Sequence, residues 1–201
     1  VSELLPRLEV DLKAFAAGAP LFSTPKRELW LEIGFGGGEH LAARAHENPD
    51  VGFVGCEPFV NGVAKLLAAI GEGDLDNVRV RSDDATALIA AAPAGSFSRI
   101  YLLYPDPWPK RRQRKRRFVN PETIAALARA LAPGGELRFA TDIDDYAGWT
   151  LRRFLASAAF AWQASLADDW RKPWEGWAST RYETKARAAG RGSAYLTFRR
   201  L

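Results

Sequence analysis

Leu29-Trp30-Leu31-Glu32-Ile33 runs without a break into Gly34-Phe35-Gly36-Gly37-Gly38, and a helix-forming stretch, 39–47, follows at once. An apolar strand turned by glycines into a helix is the opening half of a β-α-β unit. Such a strand constrains the rest of the chain, because it needs parallel neighbours, and parallel strands need crossover connections. The residues downstream supply both. Residues 52–56, 78–81, 97–104 and 136–140 read as strands. Residues 60–70, an alanine-rich stretch to about 92, 121–131 and 146–158 read as helices between them. Alternation of this kind predicts an α/β fold with a parallel sheet covered on both faces.

The two ends differ from this body. The opening to about Phe22 reads as helical, with Leu4, Leu5, Leu8 and Leu12 near helical spacing, and Ser23-Thr24-Pro25 connects it onward. At the other end 160–166 and 194–198 are candidate strands, separated by a loop, DDWRKPWEGW, rich in tryptophan and charge. The expected organisation is one domain over 1–201, with a lead-in over 1–28 and a tail over 159–201. At 201 residues the chain is long enough to bury a core without disulfides, and its one cysteine, Cys56, excludes an internal one. The longest apolar run is six residues, 87–92, far short of the ~20 that a membrane-spanning helix needs. The start has no secretory pattern, so a cytoplasmic location and no membrane partner are expected. There is no methionine at all, which suggests that a front segment is missing.

Ligands of such sheets bind beyond the carboxyl ends of the strands. Gly34, Gly36 and Gly38 lie there, and glycine permits a tight turn and close backbone approach. Glu57 ends the second strand, 21 residues after Gly36. That spacing suits a carboxylate accepting both ribose hydroxyls of a nucleoside cofactor, although a solvated strand-end acid fits as well. The loop is not the G-x-G-x-x-G of a dinucleotide site, and no P-loop occurs. Read with Glu32, the E-x-G-x-G-x-G pattern resembles the first motif of class I S-adenosylmethionine-dependent methyltransferases. An acid after the third strand, Asp83 or Asp84, would then lie near the adenine; either also suits a helix N-cap.

Tyr104-Pro105-Asp106-Pro107-Trp108-Pro109-Lys110 follows the fourth strand. Each proline fixes its own φ and restricts the residue before it, so the loop is stiff and holds Asp106 at the mouth of the sheet. A carboxylate there accepts from a base edge or stabilises a growing positive charge. Trp108 either stacks on something planar or packs under the loop. Residues 110–117 read KRRQRKRR; without these seven basic residues the net charge falls from +4 to −3. Residues 181–201 add six basic residues against one acidic. Basic charge this concentrated beside a candidate catalytic loop points to polyanion contact.

LEIGFGGGEHL, GCEPF, SDDA, YPDPWPKRRQRKRRF, FATDIDDYAGW and STRYETKARAAG, in that order, resemble the bacterial tRNA (guanine-N7-)-methyltransferases, the TrmB family, from about Leu29 to the C-terminus. The resemblance implies a Rossmann-like class I methyltransferase fold, with a mostly parallel seven-stranded sheet and an antiparallel C-terminal strand. It implies S-adenosylmethionine as methyl donor and N7 of the variable-loop guanine, tRNA position 46, as target. Glu32, Gly34, Gly36, Gly38, Glu57, Asp84 and Ala85 would contact the donor. Asp106 would be the catalytic aspartate, also touching the donor. Lys110, Arg111, Arg112, Arg114, Lys115, Arg116, Arg117, Asp142, Thr180, Arg181, Tyr182 and Glu183 would meet the tRNA. Two departures stand out: Tyr104 occupies a place where the family often has Phe, and the family's N-terminal basic segment is absent. Both monomer and homodimer stay open.

The chemistry agrees with direct in-line displacement. Guanine N7 has an in-plane lone pair and no proton, so no strong base is needed and positioning dominates. The amine-modifying [DNS]-P-P-[FYW] motif is absent, and no cysteine lies on the motif loops. Cys56 reads as inert core. His40 and His46, six apart, do not share a helical face, so they suggest packing or surface roles and no metal. Trp170, Trp174 and Trp177 form either a lid or the small core of the tail. Two other classes compete: a non-catalytic RNA-binding module, which would not need the acidic set, and a small-molecule methyltransferase, which would not need the basic run.

Overall fold

The computed structural model describes residues 3–201. Strands β1 (Glu28–Ile33), β2 (Val51–Cys56), β3 (Val78–Arg81), β4 (Phe97–Leu103), β5 (Leu131–Thr141), β6 (Phe160–Trp162) and β7 (Ala194–Arg200) form one sheet in the order β3-β2-β1-β4-β5-β7-β6. The first five are parallel. β7 is antiparallel to both β5 and β6. This is the seven-stranded class I methyltransferase arrangement expected from the resemblance. β1 lies between β2 and β4, with Ile33 opposite Cys56 on one side and Leu102 on the other. The strand order reverses there, so the carboxyl end of β1 opens into the crevice where such sheets bind ligands.

Period-two alternation assigns the two faces. Leu31 and Ile33 join Val54, Ile100, Leu102, Leu137 and Phe139 in one core. That core is covered by α5 (Ala85–Ala91), α6 (Pro121–Ala130) and α7 (Asp144–Leu155). Trp30 joins Phe53 and Tyr101 on the other face, beneath α3 (Glu39–Glu47) and α4 (Val60–Gly73).

The ends depart from the sequence reading. The lead-in is two short helices, α1 (Leu5–Leu8) and α2 (Leu12–Ala16), not one. The break comes where the Val10 N–H donates to Val80 O at 2.9 Å, after which Asp11 caps α2 through the Lys13 and Ala14 amides. β5 starts at Leu131 instead of 136, and its pairing jumps from Phe97–Leu131 to Arg99–Glu136, so Ala132-Pro133-Gly134-Gly135 bulges out. β6 has three residues. The tryptophan loop contains α8 (Asp168–Arg171), and α9 (Arg181–Ala188) follows it. Thr180 caps α9 by accepting the Glu183 N–H at 3.1 Å, and the T-x-x-E signature for such a start was present in the sequence. Trp174 and Trp177 lie edge-on to Tyr195 at 5.5 and 5.7 Å. With Tyr101 they pack onto the α3–α4 face of the sheet, so neither a separate tail core nor a free lid describes them, and Trp170 packs against the opposite, α7 face. Among the described residues, no helix is long and apolar enough to cross a membrane.

Candidate active site

A cavity of about 530 Å³ opens at the carboxyl ends of β1 and β4. Its walls include Gly34 and Gly36, Glu57 to Phe59, Gly62, Tyr104 to Asp106, and Arg181 with Tyr182. A larger cleft of about 1120 Å³ lies between α6 and α7, at the other end of the strands, and none of the motif residues lines it.

The glycine loop forms the floor. Gly34, Gly36 and Gly38 all have φ between +59° and +79°, the left-handed region that favours glycine. Gly38 is the N-cap of α3. The Gly36 N–H donates to Glu57 Oε2 at 2.7 Å, and the Phe59 N–H donates to Oε1 at 3.0 Å. Glu57 is therefore a buried acid bound to the loop, not a solvated strand end. Sequence reasoning missed Gly62. A Cβ there would lie 2.2 Å from Gly36 O, so α4 touches the loop backbone only because this residue is glycine. A glycine in the first turn of an otherwise good helix was the available signal.

Asp106 is exposed on the cavity rim. The loop that carries it is strained at both shoulders, with Tyr104 at φ +49° and Trp108 at +40°. The Tyr104 hydroxyl donates to Ser193 Oγ at 2.9 Å, which ties the loop to the tail. Burial pushes the Tyr104 phenol well above its usual range. Trp108 packs under the Arg116 guanidinium, 4.9 Å from its ring.

The basic run forms a 3₁₀ helix, Arg111–Arg116. Lys110, Arg111, Arg112, Lys115 and Arg116 are exposed, and Arg114 is half-buried, paired with Asp145 at 3.0 Å. Arg117 corrects the expectation of a phosphate contact, because only 1% of it is exposed. It donates from Nε to Pro107 O at 2.8 Å and from Nη2 to Asp145, and its guanidinium stacks on Tyr146 and Trp149, each at 4.8 Å. Arg117 is thus an internal strut beneath the Asp106 loop. Its hydrogen bond and charge hold the Asp145 carboxyl below the usual range.

Other predicted residues are also placed differently. Glu32 is not among the cavity-lining residues; its Oε2 accepts from buried His40 Nδ1 at 2.6 Å. Asp84, exposed after β3, accepts the Thr86 N–H at 2.8 Å as the N-cap of α5, and Ala85 is buried behind it. Asp142 pairs with Arg191 at 2.7 Å. Arg181 and Tyr182 line the cavity, but Thr180 is committed to its cap. Glu183 is fully buried, so neither direct RNA contact nor a surface role fits it. It accepts from Tyr195 Oη at 2.6 Å, Trp177 Nε1 at 2.6 Å and Ser179 Oγ at 2.8 Å, and pairs with Arg187. Burial alone would raise its pKa, yet these donors hold it below the usual carboxylate range. Cys56 is buried, and burial pushes its thiol far up, as an inert core residue requires.

A family described as putative methyltransferases matches residues 26–196. Among solved structures, the 16S rRNA methyltransferase KamB superposes with a TM-score of 0.64 at 17% identity, over 88% of this chain and 89% of that one. A putative methyltransferase from Streptococcus mutans, in complex with SAH, superposes at 0.56 and 11% identity, over 88% and 90%. These likenesses establish the fold. The tRNA (guanine-N(7)-)-methyltransferase of Azorhizobium caulinodans is 53% identical over all of this chain and 87% of its own length. That of Agrobacterium fabrum is 52% identical over 98% and 86%. The chain belongs to the tRNA (guanine-N7-)-methyltransferase family.

Proposed function

We propose that the chain transfers the methyl group of S-adenosylmethionine to N7 of the variable-loop guanine, position 46, of tRNA. The observation that carries this reading is convergence. One cavity gathers the glycine loop, Glu57, Asp106 and the Arg181-Tyr182 wall, and an exposed basic helix flanks it. The residues present fit the donor. The left-handed glycines and Gly62 leave the loop backbone free of side-chain bulk, and Glu57 is a buried acceptor at the end of β2.

Gly34 and Gly36 would hold the donor by close backbone approach, and Glu57 would accept its ribose hydroxyls. The donor would supply an electrophilic methyl on a sulfonium. Everything else falls to positioning by the protein. Asp106, fixed by its flanking prolines and by Arg117 beneath Pro107, presents a carboxylate to a guanine ring that becomes cationic on methylation. The exposed arginines and lysines of the 3₁₀ helix neutralise phosphates near the target. Arg181 and Tyr182 supply a planar cation and a ring at the opposite wall, 3.4 Å from where a Gly36 Cβ would stand.

The test is transfer from methyl-labelled S-adenosylmethionine to unmodified tRNA transcript, with 7-methylguanine mapped by chain cleavage at the modified base. Cleavage at the variable-loop guanine is expected. Label at another base, or none in a protein that binds the donor, overturns the assignment.

A further inference from the structure

Glu32 and His40 form a buried pair that the transfer chemistry above does not use. Glu32 shares the inner face of β1 with Trp30, and both side chains of the pair are at most 5% exposed. The His40 Nδ1–H donates to Glu32 Oε2 at 2.6 Å. The imidazole is packed between Tyr101, 4.8 Å away and edge-on, and Trp177 at 4.9 Å. Trp177 in turn donates from Nε1 to Glu183 Oε2 at 2.6 Å. Glu183 ends the capped turn whose two preceding residues, Arg181 and Tyr182, are the cavity wall. That wall stands against Gly36, four residues after Glu32 in the chain. The contacts therefore close a ring: Glu32, His40, Trp177, Glu183, the Arg181-Tyr182 turn, the glycine loop, and back to Glu32.

A carboxylate this deep needs a donor, and removing one partner leaves the other desolvated and unpaired. An apolar pair would join β1 to α3 at least as firmly, so cohesion alone does not account for a charged group beneath the glycine loop. We propose that His40 is a positioning residue: through Glu32, two residues before Gly34, it fixes the start of the glycine loop, and through Trp177 and Glu183 it couples that loop to the turn presenting Arg181 and Tyr182. The proposal rests on the donor reading above.

The test combines S-adenosylhomocysteine titration calorimetry with steady-state tRNA kinetics on the full chain. His40→Phe keeps a ring between Tyr101 and Trp177 but donates nothing, and should weaken S-adenosylhomocysteine about tenfold. His40→Asn places an amide N–H near the Nδ1 position and should recover affinity to within about threefold of the parent. Trp177→Phe keeps the ring and loses the bond to Glu183. It should raise KM for tRNA about tenfold, with kcat and donor affinity near those of the parent. His40→Phe binding like the parent, or His40→Asn as weak as His40→Phe at equal Tm, overturns the proposal. If His40→Phe does not fold, an unchanged tRNA KM in Trp177→Phe overturns the coupling. A parent protein that does not bind S-adenosylhomocysteine overturns the donor reading itself, a separate result.

Discussion

Gly62→Ala separates helix propensity from the requirements of the site. In an open helix the change is favourable by up to ~1 kcal/mol. Here the new methyl would stand 2.2 Å from Gly36 O, 3.1 Å from Gly36 C and 3.0 Å from Glu57 Cγ. A carbon approaches a carbonyl oxygen to about 3.3 Å, so either α4 or the glycine loop must retreat by about 1 Å. Backbone is on both sides, so no flexible side chain can absorb the shift. Overpacking of this kind costs ~1–3 kcal/mol, which outweighs the propensity gain. Less the propensity gain, a net loss of up to ~2 kcal/mol remains, which for a domain of this size is a Tm drop of up to about 8 °C. The same retreat separates the Gly36 N–H from Glu57 Oε2, now 2.7 Å apart, so S-adenosylhomocysteine should bind about tenfold more weakly or worse. Gly71 is the control. It lies in the same helix, and its added Cβ would meet nothing within 4 Å. Gly71→Ala should therefore raise Tm with donor affinity intact. Differential scanning calorimetry and titration calorimetry read both quantities. A Gly62→Ala protein with raised Tm and unchanged affinity would refute the close-approach argument.

Asp106→Asn should lose at least about 100-fold in kcat while S-adenosylhomocysteine still binds; unchanged turnover would remove Asp106 from the mechanism. Arg112→Ala should weaken tRNA binding and lower its salt slope by about one, with Tm unchanged. Arg117→Met should do the reverse, lowering Tm and kcat with the slope intact; a lost slope unit would return Arg117 to the phosphate contacts. Glu183 has a folded pKa below its unfolded value near 4.3. Its stabilising effect is therefore present above that pH and is lost as pH falls through the folded value. Glu183→Gln should be less stable than the parent at neutral pH and show a shallower acid loss below about pH 4. Parallel acid curves from urea melts would contradict this.

The sheet and its site-bearing end were legible in the sequence because local signals and tertiary packing agree there. β1 and β2 were apolar runs ended by Gly34 and Glu57, β3 and β4 alternated or ran apolar into the next motif, and the longer crossover helices showed their period. Fixed spacing placed the glycine loop and Glu57 at one end of the sheet, where the structure joins them directly. The ends were less legible because long-range partners decided them. The lead-in breaks at Glu9 because the backbone at Val10 reaches across to Val80. The strand expected to start at 136 starts at Leu131 because Phe97 pairs with it across a four-residue bulge.

The same limit explains the charged residues whose sequence roles changed. The basic run marks the chain as a polyanion binder by composition, but composition does not assign directions to individual side chains. Arg117 stands where the exposed 3₁₀ helix passes into buried chain, two residues before fully buried Val119. A side chain at such a boundary turns inward when a carboxylate, a carbonyl and two aromatic faces are in reach, and Asp145, Pro107, Tyr146 and Trp149 supply all of these. Glu183 follows the same logic at the other wall. Its backbone completes the Thr180 cap, which frees the carboxylate to turn toward Tyr195 and Trp177. In both cases a buried ion under the rim fixes the segment that presents exposed groups to the substrate. Substitutions at Arg117 or Glu183 should therefore act on geometry and turnover before they act on the charge that the RNA meets.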